Sequence, residues 1–394
     1  MSLPRFIQIH TLHTYPAALL NRDDAGLAKR LPYGGAVRTR ISSQCLKRHW
    51  RVADDAFALA NLGAPMATRT RYVAELVRQR LVEQGIDEPR AFATAEALLE
   101  ALFGDKADKK KEGAKALQTG QAVLFGNEEI AYFTRRCRDI ASDFAEPAAI
   151  KAEIAKFLKE EKKNIETMKL GSGLESALFG RMVTSDVLAN RDASVSVAHA
   201  FTVHEAQVEN DYFTVVDDFP QEDDGAGSAG IFDTELTSGL YYGYVVVDVP
   251  QLVANLEGIA PKDAFAINAD KRELAGEVTQ HLLHLIATVS PGAKRGSTAP
   301  YDWAKFVLVE AGDWQPRTLA AAFHDPLPLK GDAPIRTRAA GKLAAELSAL
   351  DSAYGMPTAR RFLALDEVAM PGAERATLSQ LGEWVTQTVR AGEC

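Results

Sequence analysis

Nothing in this chain is apolar for long enough to cross a bilayer as a helix. Its opening residues, Met-Ser-Leu-Pro-Arg-Phe-Ile-Gln-Ile-His, are too short and too polar a stretch to read as a secretory leader. Cysteine is scarce: Cys45, Cys137 and Cys394 are three and far apart, which excludes both a disulfide framework and a zinc knuckle. Phosphate-loop, nucleophile-elbow, CxxC and HExxH patterns are missing as well. His281 and His284 have a three-residue spacing, but on an apolar helix without the accompanying glutamate, so they read as core or capping histidines. His10 and His13 fall on opposite faces of one strand pattern, as do His199 and His204. These absences lead to the expectation of a soluble, cytoplasmic chain with no cofactor, no metal and no catalytic centre.

Positive charge is also short overall, since the 394-residue chain carries a net charge of −8. It is nevertheless concentrated in one place. Between Asn21 and Arg51 stand Arg22, Lys29, Arg30, Arg38, Arg40, Lys47, Arg48 and Arg51, against only Asp23 and Asp24. An acidic protein with one basic segment is built to hold a polyanion there, although a solvated basic loop gives the same pattern. Pro32 and the Gly34-Gly35 pair predict a loop for the first half. Ser42 and Ser43 then look like caps for a helix carrying Lys47, Arg48 and Arg51, and a helix start with open N–H groups is a seat for phosphate. Asp23 and Asp24 are adjacent carboxylates; a salt bridge that shapes the loop accounts for them better than a metal.

Hydrophobic periodicity gives a strand over residues 6–13, mostly helix from 43 to 165, and a further amphipathic helix over 147–168. Ser194–His204 and Leu240–Val249 have strand character, with a turn-rich excursion between them over 205–235. That excursion carries seven acids and no base between Glu209 and Asp224. A helix over 269–288, a basic turn at 290–297, a strand over 305–310 and a helical tail over 337–392 complete the pattern. Without the two excursions the order is strand, helix, strand, strand, helix, strand. The expected fold class is therefore α+β, with a ferredoxin-like sheet of the kind RNA-recognition folds use. The aromatic consensus of such folds is absent, so Tyr241, Tyr242 and Tyr244 read as sheet packing.

A series of uncommon words runs colinearly along the chain. They are Asn21-Arg-Asp-Asp24, Gly34-Gly35, Arg40-Ile-Ser-Ser-Gln-Cys-Leu-Lys-Arg48 and Gly180-Arg-Met-Val-Thr-Ser185. Ser196-Val-Ala-His-Ala200, Tyr212-Phe-Thr-Val-Val-Asp-Asp218, Thr237-Ser-Gly-Leu-Tyr-Tyr242 and Pro291-Gly-Ala-Lys-Arg295 follow. From residue 6 to the C-terminus the series resembles the CasC-type backbone subunit of the type I-E CRISPR-associated Cascade complex.

The resemblance implies an RRM-like palm (residues 1–51, 166–205 and 236–336, with 337–394 as its C-terminal helical part), a helical fingers insertion (52–165) and a thumb hairpin (206–235). It implies that several copies stack along one crRNA, grip its phosphates whatever the sequence, and leave bases exposed to pair with target DNA. Other Cascade subunits are implied partners: the large and small subunits, the cap of the 5′ handle and the crRNA-processing endoribonuclease. Arg22, Lys29, Arg38, Arg40, Ser42, Gln44, Lys47, Arg48, Arg51, Lys294 and Arg295 are then the crRNA-binding residues. By position in the matched words, Met182, Tyr212, Phe213, Thr214 and Ile231 form a wedge that displaces one base; local packing of the hairpin is the other reading of the same side chains. The lysine-rich stretch Lys106–Lys115 departs from the family and is either an added DNA contact or a surface loop. Cys45 reads as a neutral replacement with no redox role. Type III relatives cleave RNA with a loop aspartate, which makes Asp23 the alternative: a guide-dependent RNA endonuclease.

Overall fold

The computed structural model describes residues 2–104, 117–167, 170–182, 190–216, 228–355 and 358–394. Lys106–Lys115, Val183–Ser185 and the acids Asp217–Asp224 lie outside the described residues, and so does the side chain of Ile231. The chain is mixed α+β and divides into two compact bodies. One comprises Met1–Ala58, Val197–Val247 and Gly276–Cys394; the other comprises Leu59–Ser196 and Asp248–Ala275.

The first body is built on a long sheet. Its strands are β1 (Phe6–Ala18), β2 (Arg30–Tyr33), β3 (Ala36–Ile41), β4 (Ala200–Thr202), β5 (Gln207–Val216), β6 (Ser228–Asp248), β7 (Phe306–Gly312), β8 (Ala359–Ala364) and β9 (Ala373–Arg375). Eight of them lie side by side in the order β9-β8-β7-β1-β6-β4-β3-β2, and β5 pairs with β6 off this path. Within it, β1 and β4 have β6 between them, and β6 and β7 have β1 between them. Every residue of β7 is buried, as expected of an inner strand covered on both faces.

Alternation along β6 sends neighbouring tyrosines to opposite faces. Tyr242 joins a cluster with Leu12, Phe201, Phe323 and the apolar side of helix α2 (Ile335–Tyr354). Tyr241 joins Tyr15, Ile41 and Ala200, against which Cys45 and Leu46 of helix α1 (Ser43–Arg51) pack. Both rings are 1% exposed, which makes them packing residues of the sheet.

Two expectations need correction. The stretch through Pro32 and Gly34-Gly35 is a β-hairpin, with β2 and β3 pairing from Arg30↔Thr39 to Tyr33↔Ala36. The glycines have φ of 60° and 76°, the left-handed values a two-residue hairpin turn requires. At Gly34 a Cβ would stand 1.4 Å from the His324 carbonyl oxygen, so no other residue fits. Pro32 is tolerated because β2 is the outermost strand. The tail is not wholly helical either. Between α2 and the final helix (Leu378–Ala391), β8 pairs antiparallel with β7, and β9 pairs parallel with β8.

The second body is mainly helical. Helices Val73–Glu83, Glu88–Phe103, Asn127–Asp143 and Pro147–Thr167 enclose a core that includes Val77, Leu81, Leu98, Phe133 and Ile154. Val73, Val77 and Leu81 recur every four residues and are fully buried. A short strand pair, Ala67–Thr70 with Val123–Gly126, interrupts the helices. Arg181 forms a buried ion pair with Glu129 at 2.6 Å.

Candidate nucleic-acid interface

The interface is assembled on the first body from the basic loop, the start of α1, the turn at Lys294 and the hairpin β5–β6. Asp23 shapes the loop. Its Oδ1 accepts the N–H groups of Ala25 (2.9 Å) and Leu27 (3.0 Å), and its own N–H donates to the Leu27 carbonyl. The carboxylate therefore braces its own turn through backbone donors, where the sequence suggested a salt bridge. Asn21 ties the loop to α1, since its Oδ1 accepts the Ser42 N–H at 2.9 Å. Ser42 is the N-cap, with its Oγ accepting the Cys45 N–H at 3.3 Å, and Ser43 is the first helical residue. The first turn of α1 has no acid, and Arg48 and Arg51 stand in its last turn.

The turn that carries Lys294 is anchored by the Ala293 N–H, which donates to the Leu19 carbonyl at the end of β1. The Lys294 ammonium donates to Thr234 Oγ1 on β6 and stands 5.7 Å from the centroid of the Phe213 ring. Glu235, one residue on, accepts the Ala28 N–H at 2.7 Å and pairs with Arg30. Loop, basic turn and hairpin root thus share one set of contacts.

Neighbouring titratable groups register the resulting field. Burial lowers the His49 pKa, and Arg295 and Arg48 lower it further. Burial likewise lowers His199, reinforced by Arg40 and Lys29. Burial raises the Cys45 thiol to about 11 against the opposing pull of Lys29 and Arg295, so the group stays protonated. Four cations from three segments therefore act on side chains in and beside α1.

Arg22, Gln44, Arg48 and Arg295 are exposed, and Lys29, Arg40, Lys47, Arg51 and Lys294 are half-buried. Burial pulls the Lys47 pKa down. Arg40 donates to the Arg30 carbonyl at 3.1 Å and bonds His199 Nδ1 at 3.0 Å. Arg38 is a correction. It is 0% exposed, and its guanidinium donates to the carbonyls of Tyr33, Thr202, Phe323 and His324, so it holds the sheet together and presents no face to a phosphate.

The hairpin pairs Tyr212 with Asp233, Phe213 with Phe232, and Thr214 with Ile231. Tyr212 is 64% exposed, and Phe213 stacks on Phe232 with centroids 5.6 Å apart. Thr214 is exposed. Met182 belongs to the other body and is 93% exposed. Phe232 and Glu235 were missed in the sequence; the register of the hairpin, which places Phe232 opposite Phe213, is the signal that finds Phe232. His281 bonds the Phe57 carbonyl at 3.0 Å and His284 stacks on the Phe57 ring, so both are packing groups.

The site thus joins a basic face to an aromatic hairpin on an α+β scaffold. Residues 7–387 match the family model described as CT1975-like protein, and the chain belongs to that family. The fold is similar to a chain of a solved "CRISPR RNA-guided surveillance complex, pre-nicking", with TM-score 0.78 and 26% identity over 97% of this chain and 100% of that one. A second "CRISPR RNA-guided surveillance complex" chain shares the fold at TM-score 0.68 and 22% identity, over 96% of this chain and 99% of that one. No curated protein matches.

Proposed function

We propose that the chain is a backbone subunit of a Cascade-type CRISPR surveillance complex, of the CasC kind that serves type I-E systems. Several copies line one crRNA, hold its phosphates whatever the sequence, and leave its bases open to target DNA. The observation that carries this reading is the gathering of Lys29, Arg48 and Arg295 around Cys45 and His49 of α1, with Arg40 bonded to His199, in a chain whose net charge is −8. The exposed rings of Tyr212 and Phe213 support a wedge on the adjoining hairpin.

An RRM-like palm is supported by the sheet order, in which each helix-linked pair of strands encloses a strand of the other pair. The palm takes residues 1–51, 166–205 and 236–394, the fingers 52–165 and the thumb 206–235. The large, small, 5′-handle-cap and endoribonuclease subunits are its further partners. The chain itself performs no cleavage; both backbone bonds to Asp23 Oδ1 favour a structural carboxylate.

Mixing the full chain with a CRISPR transcript tests the reading. A ribonucleoprotein of several copies per RNA should form. Its affinity should fall with salt at about 0.7 decades per decade for each phosphate held, and Arg48→Ala should lessen that slope by about one contact. Particles without RNA, or a slope indifferent to Arg48, would refute it. Incubation with matched RNA and DNA in magnesium should give no cleavage; cutting that Asp23→Ala abolishes would establish the endonuclease instead.

A further inference from the structure

The basic turn is followed by two large rings that no packing accounts for. Tyr301 is 73% exposed and Trp303 70% exposed, with Asp302 between them. The backbone that presents them is held on several sides. The Asp302 N–H donates to Ser290 Oγ at 2.9 Å, and that hydroxyl donates to the Asp302 carbonyl at 3.0 Å. Asp302 Oδ2 accepts the Thr14 N–H at 2.8 Å, and Oδ1 pairs with Lys305. Tyr15 donates from its hydroxyl to the same Ser290 Oγ at 3.2 Å, and the Tyr301 N–H closes a tight turn onto the Ala299 carbonyl. A loop fixed this firmly, with its carboxylate turned inward and neutralised, presents the rings in a set place.

We infer that Tyr301 and Trp303 form a stacking clamp for one unpaired base of the single-stranded RNA held by the neighbouring cations. The inference rests on the function proposed above and adds a second contact to it. The two rings are two positions apart on this fixed loop, and both are open to solvent. Nucleic acid is favoured over a protein partner because the rings and the cations share one bracket: Arg295 donates to the Ser290 carbonyl at 3.2 Å, while Ser290 Oγ braces Asp302. A cationic track with aromatic side chains beside it is how single strands are held without sequence preference. Stacking adds affinity that salt does not weaken, which distinguishes it from the phosphate contacts.

The test uses the full chain and a fluorescent single-stranded RNA at several salt concentrations, comparing Tyr301→Ala, Trp303→Ala and Trp303→Phe with the parent protein. Each alanine variant should lose about five- to a hundredfold in affinity at every salt concentration, with the salt slope unchanged. The phenylalanine variant should stay within a few-fold of the parent. Alanine variants that bind as the parent does would overturn the clamp, and so would a loss that comes with a smaller slope. Unchanged RNA affinity with an altered particle mass would assign the rings to a protein contact, against the inference. Failure of the parent protein itself to bind RNA would instead remove the function on which the clamp rests. Because both rings are exposed, unfolding midpoints should match the parent's, which separates lost binding from lost fold.

Discussion

Lys294 is bound to the β5–β6 hairpin by two contacts, an ammonium donor on Thr234 Oγ1 and a cation–π approach of 5.7 Å to Phe213. The lysine therefore sets where the hairpin leaves the sheet as well as contributing charge. Lys294→Ala should remove about 1 kcal/mol of local stability, little of it visible in global unfolding. Hydrogen exchange is the measurement: amides of Gln207–Val216 should exchange several-fold faster in the variant while those of β7 stay unchanged. Equal exchange in both proteins would show that the lysine does not hold the hairpin.

Arg38 and Arg48 come from the same basic segment and should behave oppositely. Arg38→Ala leaves carbonyls of Tyr33, Thr202, Phe323 and His324 without their donor and opens a cavity at a site that is 0% exposed. A loss of roughly 3 kcal/mol or more in urea unfolding is expected. Arg38→Lys should recover little of it, because an ammonium cannot reproduce the planar fork. Arg48→Ala, at an exposed helix position, should stay within about 0.5 kcal/mol of the parent while weakening RNA binding. Similar stabilities for Arg38→Ala and Arg48→Ala would contradict the assignment.

The contrast also marks how far local sequence reaches. Arg38 and Arg40 are two apart on one strand, so alternation gives them the same face. What separates them is a loop 285 residues further on, whose carbonyls close over Arg38. No local pattern carries that information. The strand β1 and the part of β6 from Leu240 onward were legible because their aromatic and β-branched runs are long, and Ser42 was legible as a cap because capping is a local bond. The strands β8 and β9 were not, since Ala359–Ala364 alternates weakly between two helices and is fixed as strand by pairing with β7. Phe232 was hidden for a related reason: its partner, Phe213, is set by hairpin register across the acid-rich excursion.

Stability should fall on mild acidification, and His13 sets much of the range. Burial lowers its pKa from 6.5 to about 4, against the opposing influence of Asp302 and the Ile286 carbonyl. The folded value lies below the unfolded one, so the neutral ring stabilises the fold above about pH 6.5 and that contribution is lost as pH falls toward 4. A depression of that size corresponds to about 3 kcal/mol. His10, also buried and lowered, acts in the same direction. At Glu310, burial alone would raise the pKa, but hydrogen bonds from Arg317 and His10 overcome it and hold the carboxyl below its ordinary range. Its contribution persists until pH drops below about 4.5, the ordinary glutamate range. Urea unfolding at pH 7, 6, 5 and 4 should therefore show a decline that begins before carboxylates titrate. His13→Gln, which removes the titrating ring, should flatten that decline by about 3 kcal/mol between pH 7 and 4 whatever its stability at pH 7. An equally steep decline in the variant would show that His13 is not the group being protonated.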